Sequence, residues 1–334
     1  MKKNLVIIIG LILIGLIIAG IIGFYGSHLT SEKSSINVQR PVVRIATPDF
    51  GTSVIAIIAE KKGFFEQEGI TVEKVGVIQS SIIKTVLAKG DIDVMLGFHP
   101  DTVIKSRLSG LDFKIIAAGS DATREHPHMS FVVLENSSIK SAKDLKGKKI
   151  GEAAILTEAC TYYSLSDFLK PDGLTADDVE QVTMPDTQQW QALKQGLIEV
   201  GAMHAPFSGV AVNAGGRRLF TDYDTMNGAV SLVISTDKVI KEKPAALKGF
   251  VSAIAKAEDW TNSHPDEADK IIAEGLALDP ETARYMDRRV WVEHGLITDE
   301  LIQKWIDEMV KYGNLKEGEI KISDVYTNDF NPYK

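Results

Sequence analysis

The chain begins with a long, uninterrupted apolar segment. Residues 5–24 carry no charged side chain, and a helix of that length spans about 30 Å, the thickness of a bilayer's hydrocarbon core. Lys2 and Lys3 precede the segment, and neither lysine nor arginine occurs from Ile7 to His28. The positive-inside rule therefore places the N-terminus in the cytoplasm. We expect residues 1–26 to form an N-terminal transmembrane helix, an anchor or signal, and its length favours an uncleaved anchor.

A polar segment follows the apolar one. Residues 27–41 are rich in Ser, Thr, Glu, Lys, Asn and Gln and show no apolar periodicity, so we expect a solvated tether. The folded body should begin at residue 42. We therefore expect a protein of the cell membrane, with a single-pass anchor and a globular part outside the cytoplasm.

The body alternates between two kinds of apolar pattern. Short, nearly continuous or alternating apolar runs predict strands at 42–47, 70–77, 93–96, 113–118, 129–134, 148–152, 179–184, 200–204 and 229–235. Apolar residues at helical spacing predict helices at 53–62, 80–89, 158–169, 187–195, 246–262 and 298–312. Strands that alternate with helices predict parallel sheets covered by helices.

The alternation occurs twice, which predicts two sheets with a cleft between them. We expect an α/β, two-lobed fold of two mixed, mostly parallel sheets. The strands at 129–134 and 229–235 would cross between the lobes as hinges. Lobe 1 would then comprise residues 42–126 and 231–334, and lobe 2 residues 127–230.

Composition excludes several classes of function. The net charge of −8 and the absence of a long basic run argue against a nucleic-acid partner. Cys160 is the chain's single cysteine, so an internal disulfide, a cysteine metal cluster and a lipoprotein anchor are all excluded. We expect Cys160 to be a small buried apolar side chain. No cofactor is indicated, and we expect a monomer.

Candidate binding residues follow the predicted strands. Open α/β sheets form their ligand crevice at the carboxyl ends of the strands, and helix N-termini in such loops favour anions. By this criterion the candidate ligand-binding residues are Asp49, Thr52, Ser53, Gln79, Ser80, Ser81, Gly97, Phe98, His99, Thr157, Thr161, Asp186 and Pro206. The hydroxyls of Ser53 and Ser81 serve equally well as helix caps. Trp190 and Phe207 could line the ligand or belong to the core.

Histidine and arginine give weaker signals. His99 could donate to an anion or bind a metal, and His126 and His128 flank Pro127. Metal binding requires convergent ligands of fixed geometry, so we expect no metal site. No arginine occurs in the first three loops, and Arg124 is the nearest candidate for holding an anion.

Three segments resemble a known family. They are residues 58–70 (IAEKKGFFEQEGI), 88–94 (AKGDIDV) and 141–151 (SAKDLKGKKIG). The chain from residue 42 onward is similar to type II periplasmic substrate-binding proteins of ABC transporters, in the branch that binds aliphatic sulfonates, taurine, nitrate and thiamine-pyrimidine precursors. The resemblance implies an extracytoplasmic receptor that closes about its hinge on a small anionic solute, best guessed as a sulfonate such as taurine, and docks on the ABC permease.

Three alternatives remain open. The ligand could be nitrate or a thiamine-pyrimidine precursor, and the body could be a ligand-sensing ectodomain. An enzyme is not expected, because the pyrimidine-precursor synthases that resemble these receptors carry a cysteine-rich iron site and a histidine cluster. The chain also has no recognisable Ser-His-Asp order and no phosphate-cradling loop.

Overall fold

The computed structural model describes residues 40–47, 51–153 and 159–334. The predicted transmembrane helix, most of the predicted tether, Asp49 and Thr157 lie outside the described residues. Within the described ranges, no helix combines the length and apolarity needed to cross a bilayer.

The first sheet is built from both ends of the body. Its strands are β1 (Val42–Ile45), β2 (Thr71–Lys74), β3 (Met95–Leu96), β4 (Phe113–Ala118) and β11 (Leu232–Thr236). β1 pairs with β2 in parallel, β11 lies between β3 and β4 and runs antiparallel to both, and a parallel bridge from Ile45 to Val94 links the two groups. A small antiparallel ladder joins β5 (Ser120–Asp121) to β12 (Val290–Trp291).

The second sheet contains only the middle of the chain. Its strands are β6 (Met129–Leu134), β7 (Lys149–Glu152), β8 (Glu180–Thr183), β9 (Val200–His204) and β10 (Gly216–Thr221), in the order β10-β6-β9-β7-β8. β7 pairs in parallel with β8 and β9, whereas β6 runs antiparallel to β9 and β10. Four of these five strands therefore point the same way, and β6 is the exception.

Helices cover the sheets. They are α1 (Ile55–Lys61), α2 (Phe64–Gln67), α3 (Ser80–Lys89), α4 (Pro100–Leu108), α5 (Ala159–Leu169), α6 (Asp186–Lys194), α7 (Phe207–Asn213), α8 (Asp222–Met226), α9 (Asp237–Glu242), α10 (Pro244–Ser263), α11 (Pro265–Gly275), α12 (Pro280–Ala283), α13 (Asp299–Lys311) and α14 (Ile322–Val325). The apolar face predicted for α10 is confirmed, because Leu247, Phe250, Val251 and Ile254 are fully buried.

The predicted hinge strands differ from the observed crossings. β6 pairs within the second sheet and β11 within the first, so neither strand itself passes between the sheets. The chain crosses instead in the two irregular segments at 122–128 and 227–231. Both predicted strands were long apolar runs because each is an interior strand of its own sheet, paired on both sides and almost wholly buried.

Helix α13 supports the region between the sheets and gives a simple stability prediction. Its N-cap Thr298 accepts a hydrogen bond from the Leu301 backbone N–H at 3.2 Å. Thr298→Ala should lower the free energy of unfolding by about 1 kcal/mol, because the N–H loses its acceptor. Chemical denaturation measures this. Thr85→Ala, at an exposed position inside α3, should change it by less than about 0.5 kcal/mol; equal effects would contradict the capping role.

Candidate functional site

A cavity of about 90 Å³ lies where strands of both sheets end. β1, β3, β7 and β9 all direct their carboxyl ends toward it. The described residues that line it are Ala46, Thr47, Gly51, Thr52, Ser53, Ile78, Ser80, Ile83, Leu96, Gly97, Phe98, His99, His128, Ala153, Cys160, Thr161, His204 and Ser231. This central cavity thus combines apolar walls with a few polar groups, which is typical of a small-molecule site.

Three helices begin at the central cavity. Ser80 opens α3, His99 precedes α4, and Thr161 lies in the first turn of α5. The unpaired N–H groups at a helix N-terminus carry a partial positive charge, which stabilises a nearby anion by about 0.3–1 kcal/mol per helix. The backbone alone therefore favours negative charge in the cavity.

Arg289 lies directly behind the cavity wall. Its Nη1 donates to Ser120 Oγ at 2.9 Å and to His128 Nδ1 at 3.0 Å, and its Nη2 donates to the Ala205 carbonyl at 2.6 Å. All three acceptors are neutral, and among the described residues no carboxylate forms an ion pair with this guanidinium. Desolvation lowers the pKa of Arg289 to about 10, so it remains charged at neutral pH.

The hydrogen bond from Arg289 fixes the tautomer of His128. Because Nδ1 accepts the hydrogen bond from Arg289, the neutral ring carries its hydrogen on Nε2. That Nε2 is buried and has no hydrogen-bond partner among the described residues. Burial first, and then the charge of Arg289, hold the pKa of His128 well below its usual value. His128 therefore provides a neutral N–H donor at the cavity.

His99 has the opposite tautomer. Its Nδ1 hydrogen-bonds the Val230 carbonyl, which leaves the lone pair on Nε2. Its ring stacks on Trp305 with centroids 5.0 Å apart and lies 5.0 Å from the His128 ring. Burial lowers the pKa of His99 to about 3. One wall of the cavity thus offers a donor and an acceptor side by side.

The donor set argues against a resident metal. Ligand atoms of His99, His128 and Cys160 lie within 4.8 Å of one another, which is close enough to consider a metal ion. However, a neutral His128 has its proton on Nε2, and the Arg289 guanidinium behind it repels a cation. The geometry fits an anion better than a metal.

Cys160 resembles a catalytic nucleophile in position only. Its Sγ lies 3.7 Å from His204 Nε2, and His204 Nδ1 lies 3.2 Å from the Asp186 carboxylate. Burial and three surrounding carboxyl groups raise the pKa of the Cys160 thiol well above its usual value. An activated cysteine requires a lowered pKa, so this thiol is a buried apolar group, as the sequence predicted.

A hydroxyl cluster connects β5 with the crossing segment at 227–231. Ser120 Oγ and Ser231 Oγ lie 2.6 Å apart, and Thr52 hydrogen-bonds Ser231. The backbone N–H of Ser231 also donates to the Ser120 carbonyl at 2.8 Å. Because Ser120 also accepts from Arg289, the cavity-lining Thr52 and Ser231 belong to the same hydrogen-bond network as this guanidinium.

The sequence-predicted residues are divided among several places. The structure brings Thr52, Ser53, Ser80, Gly97, Phe98, His99 and Thr161 together around the central cavity. Gln79, Ser81 and Asp186 line a neighbouring cavity of about 480 Å³ that shares Ser80 and Ala153 with it. Pro206 lines a separate cavity of about 300 Å³. Asp49 and Thr157 lie outside the described residues.

Sequence reasoning missed the residues that come from distant segments. His128 was noted only as part of a weak metal motif, and His204, Ser120, Ser231 and Arg289 were not singled out. Arg124, the arginine considered nearest, is exposed and pairs with Asp224 at 3.3 Å. Arg289 reaches the site from a segment far along the chain, and nothing in the residues around it indicates this position.

Similar proteins share this architecture. Residues 52–268 match the family model described as NMT1/THI5 like. A protein of Bacillus subtilis (strain 168) named an aliphatic sulfonates-binding protein is 24% identical over 339 residues, which cover 99% of this chain and 96% of that protein.

Two solved structures share the predicted α/β periplasmic-binding-protein-like fold. The alkanesulfonate-binding protein SsuA from Xanthomonas axonopodis pv. citri bound to MOPS superposes with a TM-score of 0.67 at 14% identity, covering 86% of this chain and 99% of that one. The periplasmic nitrate-binding protein NrtA from Synechocystis PCC 6803 superposes with a TM-score of 0.69 at 15% identity, covering 87% of each chain. The fold is therefore the α/β periplasmic-binding-protein-like fold. Since the family model also matches more than half of its length, the chain belongs to the NMT1/THI5-like family.

Proposed function

We propose that the chain is the extracytoplasmic solute-binding protein of an ABC importer and holds a small anionic organic solute in the central cavity. The solute of this proposal is a sulfonate such as taurine or an alkanesulfonate. The observation that carries this proposal is the Arg289 guanidinium, which forms no ion pair with a carboxylate in the described part of the chain and donates to His128 at the cavity wall. A bound anion would supply the missing counter-charge.

The polar groups around the cavity match an oxyanion. His128 Nε2–H and the N–H groups at the starts of α3, α4 and α5 are donors. Hydrogen bonds from such donors to a charged oxygen contribute about 1.5–3 kcal/mol each. The apolar walls, including Ile78, Ile83 and Phe98, would contact the carbon part of the solute.

The size of the cavity favours a small solute. A volume of about 90 Å³ accommodates roughly three to nine water-sized groups. A short alkanesulfonate fits this volume, whereas a ligand with several fused rings exceeds it. Nitrate also fits but would leave the apolar walls without a partner, and a pyrimidine precursor would leave Arg289 without a counter-charge.

Closure would follow from contacts between the two lobes, residues 42–126 with 231–334 and residues 127–230. Asp287 of lobe 1 pairs with Arg218 of lobe 2 at 2.6 Å and accepts from Ser208. Arg289 of lobe 1 reaches the Ala205 carbonyl of lobe 2. A solute that contacts both lobes favours this closed state, because only there are both sets of contacts made.

Transport rather than catalysis is the role of this site. The relative matched along almost the whole chain is named as a binding protein, and the chain is a solute receptor and not an enzyme. We propose that the segment at 1–26 anchors the receptor to the cell membrane and that the closed lobes dock on the ABC permease. A sensing ectodomain is the second candidate: a permease gene and an ATPase gene beside the gene of this protein would favour import, and a kinase gene would favour sensing.

Glu152 gives the proposal a pH dependence. Burial raises the pKa of its carboxyl to about 8, so it is neutral at pH 7. Above pH 8 it becomes an anion beside the cavity and should weaken binding of a sulfonate about fivefold by pH 9. Titration calorimetry of wild type and Glu152→Gln tests this, because the neutral variant should bind equally at both pH values. An equal loss of affinity at pH 9 in wild type and Glu152→Gln would contradict the role of Glu152.

A ligand panel tests the function itself. Thermal shift followed by calorimetry would compare taurine, butanesulfonate, nitrate and a hydroxymethylpyrimidine, with butanol as the uncharged control. A ligand that binds only the folded state raises the melting temperature. We expect the largest rise with a sulfonate, which satisfies both the donors and the apolar walls, and no rise with butanol. If the pyrimidine alone stabilised the protein, the proposal of an anionic solute would be wrong and the ligand would be a neutral heterocycle.

A further inference from the structure

A second cavity of about 300 Å³ lies on the other side of Arg289 from the central cavity. Its lining includes Val54, Pro206, Ile272, Met286, Arg289 and Trp291. We propose that it is a second ligand site, which takes a small organic carboxylate with an apolar body. The proposal goes beyond the solute-binding role of the central cavity.

Two residues that line this cavity carry buried donors for which the described residues provide no acceptor. Trp291 is 2% exposed, and its Nε1–H finds no hydrogen-bond partner among the described residues. The buried Arg289 Nε–H also has no hydrogen-bond partner among these residues. An unsatisfied buried donor costs about 1–3 kcal/mol, so native proteins usually give it a partner. A carboxylate has two oxygens and can satisfy both donors.

The Trp291 indole is held in place by its own backbone. The backbone N–H of Trp291 donates to Asn262 Oδ1 at 3.1 Å, and the backbone carbonyl of Trp291 accepts from Asn262 Nδ2 at 2.9 Å. The strand pairing of β12 with β5 adds a second restraint. The donor is thus positioned before any ligand arrives, which reduces the entropy lost on binding.

Arg289 is the cation of the second cavity that could form an ion pair with a ligand. Arg288 pairs with Asp266 and Asp269, and Asp287 pairs with Arg218. These pairs set two cations against three carboxylates, and none of these carboxylates pairs with Arg289, which contacts neutral acceptors among the described residues. A ligand carboxylate would give Arg289 an ion pair of its own. The apolar side chains of Val54, Ile272 and Met286 would contact a short carbon chain.

Indole NMR tests the site directly. The chain has four tryptophans, and Trp291→Phe identifies the Trp291 signal in protein labelled with ¹⁵N at the indoles. Titration with sodium butyrate, against sodium chloride at equal ionic strength, should shift the Trp291 Nε1–H signal saturably. Trp190, on α6, should not respond. In calorimetry, Trp291→Phe should bind butyrate at least tenfold more weakly, since it keeps the ring but removes the donor.

The indole signal of Trp305 reports on the central cavity, because Trp305 stacks on His99. Comparing it with the Trp291 signal distinguishes binding at the two sites. A butyrate shift at Trp305 without one at Trp291 would overturn the second site, as would no saturable shift at Trp291. Unchanged butyrate affinity in Trp291→Phe would also overturn it. If sulfonates fail to shift Trp305 while butyrate shifts Trp291, the proposed function fails and the second site stands.

Discussion

Replacing Arg289 with methionine is expected to weaken binding of an anionic solute by at least about 100-fold. The guanidinium has no carboxylate partner among the described residues and contacts the cavity through His128. A unit charge about 6 Å from the solute contributes roughly 3 kcal/mol at an effective dielectric constant of 20, which is about 100-fold in affinity. Titration calorimetry with the best ligand of the panel measures the loss.

The neighbouring arginine provides a matched control for this substitution. Arg288 forms ion pairs with Asp266 and Asp269, away from the central cavity, so Arg288→Met should leave affinity within about twofold of wild type. In Arg289→Met, methionine replaces a desolvated charge with an apolar group of similar length, and such exchanges often preserve folding. Equal losses in the two variants, with both folded, would show that Arg289 has no special electrostatic role.

His128→Ala should weaken solute binding by about 10- to 100-fold. The substitution removes the buried Nε2–H donor and also the acceptor that orients Arg289. The loss of one hydrogen bond to a charged group is worth about 1.5–3 kcal/mol. Because burial keeps the pKa of His128 well below its usual value, binding should not require its protonation.

The other histidine of the His-Pro-His segment is the control. His126 is only partly buried and does not line the central cavity, so His126→Ala should change affinity less than twofold. If His126→Ala reduced binding as much as His128→Ala, the effect would belong to the crossing segment as a whole. The assignment of His128 Nε2–H as a donor would then be wrong.

Much of the scaffold could be predicted because its strands are short and continuously apolar. The bounds predicted for β4, β6 and β9 agree with the structure. β10 was missed because Arg217 and Arg218 interrupt its apolar pattern; their side chains bond the Ile139 carbonyl and Ser130. Local patterns thus identified strands whose apolar residues form a continuous run and missed a strand that two arginines interrupt.

The site could be predicted only in part. Strand ends and helix starts are local features, and they led to Thr52, Ser80, His99 and Thr161. Arg289 is brought to the cavity by the tertiary fold, through contacts with Ala205 and His128. No periodicity or spacing in the sequence encodes that contact. The electrostatic centre of the proposed site was therefore the part that sequence could not supply.

Small-angle neutron scattering in contrast-matched detergent tests most directly whether two lobes close on a solute in the central cavity. The radius of gyration of wild type should fall when the best sulfonate of the panel reaches saturation, and that of Arg289→Met should stay constant at the same concentration. A radius of gyration that does not change in wild type at proven saturation would contradict closure around the solute.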